Sequence, residues 1–186
     1  MKVSREQVAE NRRNILEAAG RLFRAKGYEA VTVSEVMKAA GLTHGGFYGY
    51  FASKDDLVAQ SLAHVFSTAV PAGADLAGYV TQYLSTAHLK DCAGGCPMAG
   101  LASETSRQAP EARAQMTGSL RRQIGRLSQS MPGASVEEKR RAATGSWAAM
   151  VGAMVLARVS DDPQLADEVL SDTREWLLAQ DVKPGN

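Results

Sequence analysis

The fold is decided by the stretch GLTHGGFYGYFASKDDL, residues 41–57. Gly41 follows a run of apolar residues at helical spacing, and glycine is the residue best suited to the left-handed cap that ends a helix. Two residues later, Thr43 stands where the N-cap of a new helix belongs. The stretch therefore predicts a helix end, a tight turn and a short second helix.

Aromatic residues dominate the second half of this stretch. Phe47 and Phe51 are four residues apart and share one helical face, which we expect to enter a core. Tyr48 and Tyr50 are then expected to point away from that core. Two exposed tyrosines beside a helix start indicate a contact surface.

Upstream of the stretch, the pattern predicts two more helices. An amphipathic helix from about Asn11 to Gly27 is indicated by its apolar residues at i, i+3, i+4, i+7 and i+8. Thr32 and Glu35 have the spacing of a capping box, in which the threonine accepts an N–H and the glutamate reaches back to the cap. The second helix should begin at Val33, and the turn that follows it gives a helix-turn-helix.

The sequence here resembles the TetR family of bacterial transcriptional regulators. The resemblance is carried, in unbroken register, by Ile15, Ala18, Ala19, Leu22, Phe23, Gly27, Tyr28, Thr32, Val33, Ala39, Ala40, Gly41, Leu42, Gly46, Phe47, Tyr48, Tyr50, Phe51, Ser53, Lys54 and Leu57. It implies an all-α fold. Residues 1–54 would form a three-helix helix-turn-helix DNA-binding domain, and residues 55–186 a helical effector-binding and dimerisation domain.

Beyond the stretch the pattern stays helical, and no strand pattern or repeat is visible. A linking helix is predicted from about Asp55 to Val70, and Asp75 should cap a helix that continues to about Leu89. Pro97 suits the first turn of a further helix. A second capping box at residues 135–138 predicts a long helix to about Val159. The last helix should start after Asp162.

Composition limits the class of protein. The 186 residues are 45% hydrophobic with a net charge of +1, which is ordinary for a globular protein. Residues 1–57 carry nine Lys or Arg against seven Asp or Glu, so charge alone is weak evidence for a nucleic-acid partner. A polar N-terminus and the lack of 18 consecutive apolar residues predict a cytoplasmic protein without a membrane span.

The DNA-contacting residues are predicted from helix starts and from the resemblance. Thr32 and Thr43 can present hydroxyls and backbone N–H groups to phosphates, or they can serve only as caps. In the family, these positions meet phosphates. The residues expected to face the groove are His44, Gly45, Gly46, Tyr48, Gly49 and Tyr50, with Lys54 adding a phosphate contact. Three glycines leave few side chains to read bases, so DNA shape would share the readout.

A homodimer interface is predicted on the last two helices. Small residues at Gly145, Ala149, Gly152 and Ala153 permit close helix approach, and the last helix adds Leu165, Val169 and Trp176. A core within one chain explains these patterns equally well. The resemblance favours the dimer, because the family buries its last two helices in a four-helix bundle.

Two cysteines, Cys92 and Cys96, allow three interpretations. They can be small apolar residues in a loop and a helix start. They can be sensors: Cys96 precedes Pro97 at a helix N-terminus, and the chain there is similar to electrophile-sensing TetR regulators, with Cys92 as a resolving thiol. Metal binding with His88 is the weakest alternative, since no Cys-x-x-Cys pair is present.

A noncovalent effector pocket is compatible with all three interpretations. Aromatic and flexible residues on helices that would surround it are Phe66, Tyr79, Tyr83, His88, Met98, Leu101, Met116, Trp147 and Met150. Each of these residues also suits an ordinary core.

The sequence therefore predicts a dimeric repressor of double-stranded operator DNA, released by a small-molecule effector or by modification of Cys96. We expect no cofactor, metal or catalytic residue. A thiol-dependent oxidoreductase is an alternative, although no dinucleotide loop or triad-like base supports it. A second alternative is an interaction module that has lost DNA binding.

Overall fold

The computed structural model describes residues 4–68 and 75–181. The elements in these residues are all helices, which confirms the all-α class. They are α1 (Arg5–Lys26), α2 (Val33–Ala39), a 3₁₀ recognition segment (His44–Gly49), α3 (Lys54–Thr68), α4 (Leu76–Tyr83), α5 (Thr86–Lys90), α6 (Pro97–Thr105), α7 (Pro110–Ser130), α8 (Val136–Val159) and α9 (Pro163–Asp181). The predicted end of the linking helix, at about Val70, lies outside the described residues.

Packing divides the chain into two compact units. The first unit combines Met1–Ala69 with Cys96–Thr117, and the second combines Val70–Gly95 with Gly118–Asn186. Helix α6 thus packs with the N-terminal helices, although it lies far along the sequence. The division at residue 54, which separates the DNA-binding domain from the effector-binding and dimerisation domain, stays a prediction.

The first unit is built around α1, which packs against α2, α3 and α6. Ser4 caps α1 by accepting the N–H of Gln7 at 3.1 Å, so the helix begins earlier than its apolar pattern indicates. Ile15 and Phe23 from the predicted stripe are fully buried. The largest side chains buried beside them come from the following elements and are Tyr28, Val36, Met37, Phe47 and Leu57.

The predicted capping box at α2 forms only in part. Thr32 accepts the N–H of Glu35 at 3.1 Å, as expected. The Glu35 carboxylate does not return to the cap, because it pairs with the Lys26 ammonium at 2.5 Å. That pairing lowers the pKa of Glu35 and links the end of α1 to the start of α2.

The second unit is built on the packing of α8 against α9, with α4 on α9 and α5 on α8. The capping box at Ser135 is complete, with Glu138 as the returning carboxylate. The single helix predicted to Leu89 is wrong. It stops at Tyr83, and Ser85 caps α5 anew by accepting the N–H of His88 at 3.2 Å.

Within residues 4–68 and 75–181, one helix, Val136–Val159, is long and apolar enough to cross a membrane by length and composition. One of its faces is nevertheless buried inside the second unit, through Ala143, Trp147, Met150, Ala153, Met154 and Ala157. A complete capping box at its start also satisfies the polar groups of its first turn. This is the pattern of a core helix.

Candidate DNA-binding surface and effector region

The turn between α2 and the recognition segment is set by Gly41. Its φ of 73° lies in the left-handed region, as predicted for a glycine cap. Its N–H reaches the Lys38 carbonyl at 3.0 Å, and the next N–H, from Leu42, reaches Met37 at 2.9 Å. These two bonds end α2 and redirect the chain within two residues.

The recognition segment, His44–Gly49, is a 3₁₀ helix rather than an α-helix. Phe47 and Phe51 enter the core as predicted, with their ring centroids 5.7 Å apart. Thr43 precedes the segment at the N-cap position, but its side chain makes no capping hydrogen bond. The Thr43 hydroxyl is therefore available to an external partner.

The two tyrosines of the segment differ in exposure. Tyr48 is 75% exposed, as predicted for a contact residue. Tyr50 is half-buried, and its hydroxyl accepts a hydrogen bond from the Asn11 side chain at 3.0 Å. The expectation that Tyr50 points freely away from the core is wrong, because α1 lies beside it.

Three glycines surround these aromatic residues. A Cβ on Gly45 or Gly49 would meet nothing within 4 Å, and one on Gly46 would lie 3.8 Å from the Met37 methyl group. None of the three has a positive φ. Packing within the chain therefore does not require glycine at these positions.

The other predicted phosphate contacts lie at helix starts. Thr32 is exposed, but its hydroxyl already accepts the N–H of Glu35. Lys54 is the first residue of α3. The turn before it is fixed by Ser53, which accepts the Asp56 N–H at 3.1 Å, while Asp56 accepts the Ala52 N–H at 2.9 Å.

The residues that support this surface were not predicted from the sequence. Asn11 was not predicted as a site residue, and Asp56 was not recognised as the returning half of a cap. The pKa of Asp56 is lowered by hydrogen bonds from Gln60 and from Ala52. The Ser-x-x-Asp spacing from Ser53 to Asp56 is a signal that could have revealed this cap.

Two family models match the chain. One describes bacterial regulatory proteins of the tetR family and matches residues 15–60. The other describes the C-terminal domain of LmrA/YxaF-like transcriptional regulators and matches residues 72–170, more than half of the chain. The chain belongs to the TetR family. This is a family of helix-turn-helix transcriptional regulators and not of enzymes, which removes the oxidoreductase alternative.

Individual relatives agree with this assignment. The HTH-type transcriptional regulator AcrR of Shigella flexneri is 37% identical over 57 residues, covering 31% of this chain and 26% of AcrR. The HTH-type transcriptional repressor KstR2 of Mycobacterium tuberculosis is 38% identical over 56 residues, covering 30% of this chain and 28% of KstR2. The chain thus spans less than a third of the length of either curated relative.

Solved structures extend the likeness in fold to the whole chain. NemR of E. coli, solved in its reduced form, superposes with a TM-score of 0.75 at 20% identity. That match covers 95% of this chain and 99% of NemR. The TetR fold, with an N-terminal helix-turn-helix domain and a C-terminal helical domain, therefore extends over 95% of the chain.

The cysteines of this TetR-family chain lie at either end of the α5–α6 connection. Both are thiols and both are half-buried. Cys96 is the N-cap residue of α6, followed by Pro97 in the first turn as predicted. Cys92 lies in the turn after α5, with its sulfur 3.8 Å from the Leu89 carbonyl oxygen.

His88 does not join the cysteines on one helix, since α5 ends at Lys90. Its ring Nδ1 lies 2.7 Å from the Tyr83 carbonyl oxygen. Burial lowers the pKa of His88, and the neighbouring Arg158 cation acts in the same direction. Among the residues that the structure describes, no group of three His, Cys, Asp or Glu side chains is placed to hold a metal ion.

The predicted pocket residues divide between the two units. Phe66, Met98, Leu101 and Met116 belong to the first unit and the other five to the second. In the second unit Tyr83 is the centre of an aromatic cluster, with its ring centroid 6.1 Å from Tyr79, 4.6 Å from His88 and 5.3 Å from Trp147. Met150 is fully buried in that unit. The effector role of all nine stays a prediction.

The predicted dimer residues lie on α8 and α9. Gly145 and Leu165 are exposed, Trp176 is 54% exposed, and Ala149, Gly152 and Val169 are half-buried. Ala153 is only 4% exposed, because it packs inside its own unit. Leu156, which flanks the predicted small-residue face, is 59% exposed near the end of α8, and the exposed Val155 and Val159 beside it were not predicted.

Proposed function

We propose that the protein is a cytoplasmic repressor that binds operator DNA as a homodimer. Residues 1–54 would hold the DNA, and residues 55–186 would bind the effector and form the dimer. Release would follow binding of a small molecule or modification of Cys96. Effector and DNA would prefer different states of the dimer, so each would weaken the other's binding by the same factor.

One observation carries the DNA-binding part, which is the exposure of Tyr48 directly beside the buried Phe47. The Tyr48 ring is 75% exposed, and the segment that carries it is anchored in the core by Phe47. Tyr48 is therefore suited to be a rigid contact residue. The Thr43 hydroxyl, which does not cap the segment, is free to donate to a phosphate. Exposed His44 supplies donors for base edges.

The lack of side chains at the three glycines also supports DNA binding by this segment. Gly45 and Gly49 have open space where their Cβ atoms would lie, so nothing inside the chain selects glycine there. In an interface with DNA, the lack of a Cβ lets the backbone approach the duplex closely. Gly46 has the same character, and Lys54 and Thr32 would add phosphate contacts at the two neighbouring helix starts.

The test uses DNA from upstream of the protein's own gene in a gel-shift titration at two salt concentrations. We expect binding that weakens steeply with salt, as phosphate contacts require. The Tyr48→Ala variant should lose the shift while its circular dichroism stays unchanged. Val136→Ala is the matched control, because Val136 is 77% exposed on α8. Equal binding by Tyr48→Ala and the wild type would refute the assignment of Tyr48.

The dimer proposal is supported by the apolar surface of the second unit. Leu156, Val159 and Trp176 expose more than half of their surfaces in the single chain. Exposed apolar side chains on the two helices α8 and α9 are typical of an interaction surface. Two-fold pairing would place the recognition segments on successive major grooves, roughly 34 to 36 Å apart. An operator with inverted half-sites is expected.

Cys96 is proposed as the sensing thiol because it occupies the N-cap position of α6. The first N–H groups of a helix favour a neighbouring anion, which suits a reactive sulfur. With peroxide, the thiolate attacks one oxygen to give a sulfenic acid and hydroxide. The Cys92 thiol would then displace that oxygen as water and form a disulfide. The noncovalent pocket is the competing mode of release.

The test of sensing is release of the bound DNA by hydrogen peroxide or iodoacetamide. A Cys96→Ser variant should bind DNA normally and stay bound after either reagent. Cys92→Ser should still release DNA after either reagent, but nonreducing mass spectrometry should detect no disulfide in it. Normal release of Cys96→Ser would refute the thiol mechanism and leave the noncovalent pocket.

A further inference from the structure

Helix α6 is fastened to the end of α1 by one carboxylate. The N–H of Gly27 makes the last bond of α1, to the Phe23 carbonyl at 2.8 Å. The next N–H, from Tyr28, donates to Oε2 of Glu104 at 2.8 Å. Glu104 lies near the C-terminal end of α6, 76 residues further along the chain. A carboxylate thus accepts the backbone N–H that directly follows the C-cap of α1.

Glycine at position 27 makes this contact possible. The φ of Gly27 is 83°, which already disfavours any side chain. In addition, a Cβ there would lie 2.6 Å from Oε1 of Glu104 and 2.9 Å from Oε2. The carboxylate therefore occupies the space that only a glycine leaves, and the two residues depend on each other.

A second, buried bond supports the first. The hydroxyl oxygens of Tyr28 and Thr105 are 3.0 Å apart, and both side chains are 2% exposed. The Thr105 proton is directed to the Leu101 carbonyl at 2.7 Å, so Tyr28 must be the donor to Thr105. Burial raises the pKa of Tyr28 to about 12, and the charge of Glu104 adds to the rise, so this donor stays protonated.

The same turn leads directly into the helix-turn-helix. Lys26, the last residue of α1, pairs with Glu35 in the first turn of α2. Val31 and Val36, on either side of the α2 cap, are fully buried. A shift of the Gly27–Tyr28 turn would therefore displace the start of α2, since a packed core transmits strain.

We propose that Glu104 is a positioning residue for DNA binding, which makes α6 and the end of α1 move as one body. Helix α6 has nine residues and is about 13 Å long, with Cys96 at its first end and Glu104 near its last. A change at Cys96 would then reach the DNA-contacting helices through Glu104. This step rests on the release mechanism proposed above, whereas the positioning of the turn does not.

The experiment compares Glu104→Ala with Glu104→Gln. Glutamine keeps an oxygen that accepts the Tyr28 N–H, and alanine removes it. After hydrogen peroxide treatment, we expect the wild type and Glu104→Gln to lose at least about fivefold in DNA affinity, the lower end of ordinary coupling. Glu104→Ala should lose less than about twofold. Full release of Glu104→Ala would overturn the proposal.

Hydrogen exchange at the Tyr28 amide separates this inference from the proposed function. Exchange in Glu104→Ala should be at least about tenfold faster than in the wild type, as expected when one protecting hydrogen bond is lost. Glu104→Gln should stay within about twofold. Unchanged exchange in Glu104→Ala would overturn the positioning role, whether or not the wild type binds DNA.

Failure of the wild type to bind or release DNA, with exchange as expected, would instead refute the proposed function alone. If Glu104→Ala does not fold, Thr105→Val weakens the same connection with nearly the same shape. The same two measurements then test Thr105→Val, for which we expect reduced release of DNA after hydrogen peroxide and faster hydrogen exchange at the Tyr28 amide. Wild-type behaviour of Thr105→Val in both would overturn the proposal.

Discussion

The side-chain amide of Asn11 donates to the hydroxyl of Tyr50 over 3.0 Å and ties α1 to the end of the recognition segment. The amide is itself oriented, because its oxygen accepts a hydrogen bond from Gln7 at 3.0 Å. Tyr50 is thus the acceptor in this pair, and its own proton remains available for the predicted contact in the DNA groove. Tyr50 would therefore serve both to position the recognition segment and to make the proposed DNA contact.

Removing either partner of this pair should weaken DNA binding. A hydrogen bond of this kind contributes roughly 0.5 to 1.5 kcal/mol, so Asn11→Ala should cost about two- to tenfold in affinity. Tyr50→Phe should cost at least as much, because it also removes the hydroxyl proton proposed to face the groove. Gel-shift titration of both single variants and the double variant tests the coupling. Because the two residues share one bond, the double variant should lose less than the product of the single losses, and full additivity would contradict the pairing.

Gly45 and Gly49 should be replaceable by alanine without harm to the fold. Neither position has an atom within 4 Å of a new Cβ, so alanine should raise the free energy of unfolding by about 0.4 to 1 kcal/mol each. DNA affinity should fall, since the added methyl group would keep the backbone away from the duplex. Gly125→Ala on α7 is the control, because it is equally open. Gly125→Ala should be more stable than the wild type and should bind DNA with unchanged affinity. If Gly45→Ala and Gly49→Ala also kept the DNA affinity of the wild type, the backbone at these two positions would lie away from DNA.

Much of the fold was predictable because its signals are local. Gly41 ends α2, Phe47 and Phe51 define the buried face, and Ser135 opens α8, and each feature depends only on residues a few positions apart. Spacing and capping chemistry are visible in the sequence, so these features were confirmed.

The contacts that support the candidate site were not predictable in this way. Asn11 and Tyr50 are 39 residues apart, and Glu104 and Tyr28 are 76 apart. Which side chains meet over such distances depends on how helices pack, which apolar periodicity does not specify. The same reason explains Glu35, whose local cap was displaced by the Lys26 ammonium.

Protonation of His88 should destabilise the protein in mild acid. Burial and the Arg158 cation lower its pKa below the ordinary 6.5, although the Tyr83 carbonyl opposes them. As the pH falls through 6.5, the unfolded chain takes up the proton first, so the free energy of unfolding decreases from there toward the folded-state pKa. The pKa values of Asp56 and Glu35 are also lowered. The stability that these carboxylates contribute to the protein is lost as the pH falls below their ordinary pKa values of 3.8 and 4.5.

The measurement is urea unfolding between pH 7.5 and 5, above the range of those two carboxylates. His88→Asn keeps a donor for the Tyr83 carbonyl and removes the titrating ring. Its free energy of unfolding should fall less over this range than that of the wild type. Equal slopes would show that another group governs the acid sensitivity.

Leu156 tests the proposed dimer with little risk to the fold of the single chain. It is 59% exposed on α8, so a charged residue there costs the isolated chain little burial. In a helix-bundle interface the same charge would be desolvated without a partner, which is strongly unfavourable. Leu156→Glu should therefore sediment as a monomer at concentrations where the wild type is a dimer.

Loss of the dimer should also abolish tight operator binding. A dimer binds its second half-site intramolecularly, and this advantage amounts to roughly 10² to 10⁴ in affinity. The Leu156→Glu monomer should bind inverted half-sites no better than a single half-site, with circular dichroism like that of the wild type. Val136→Glu is the control, because it adds the same charge at a 77% exposed position at the other end of the same helix. A dimeric Leu156→Glu with full operator affinity would exclude this end of α8 from the interface.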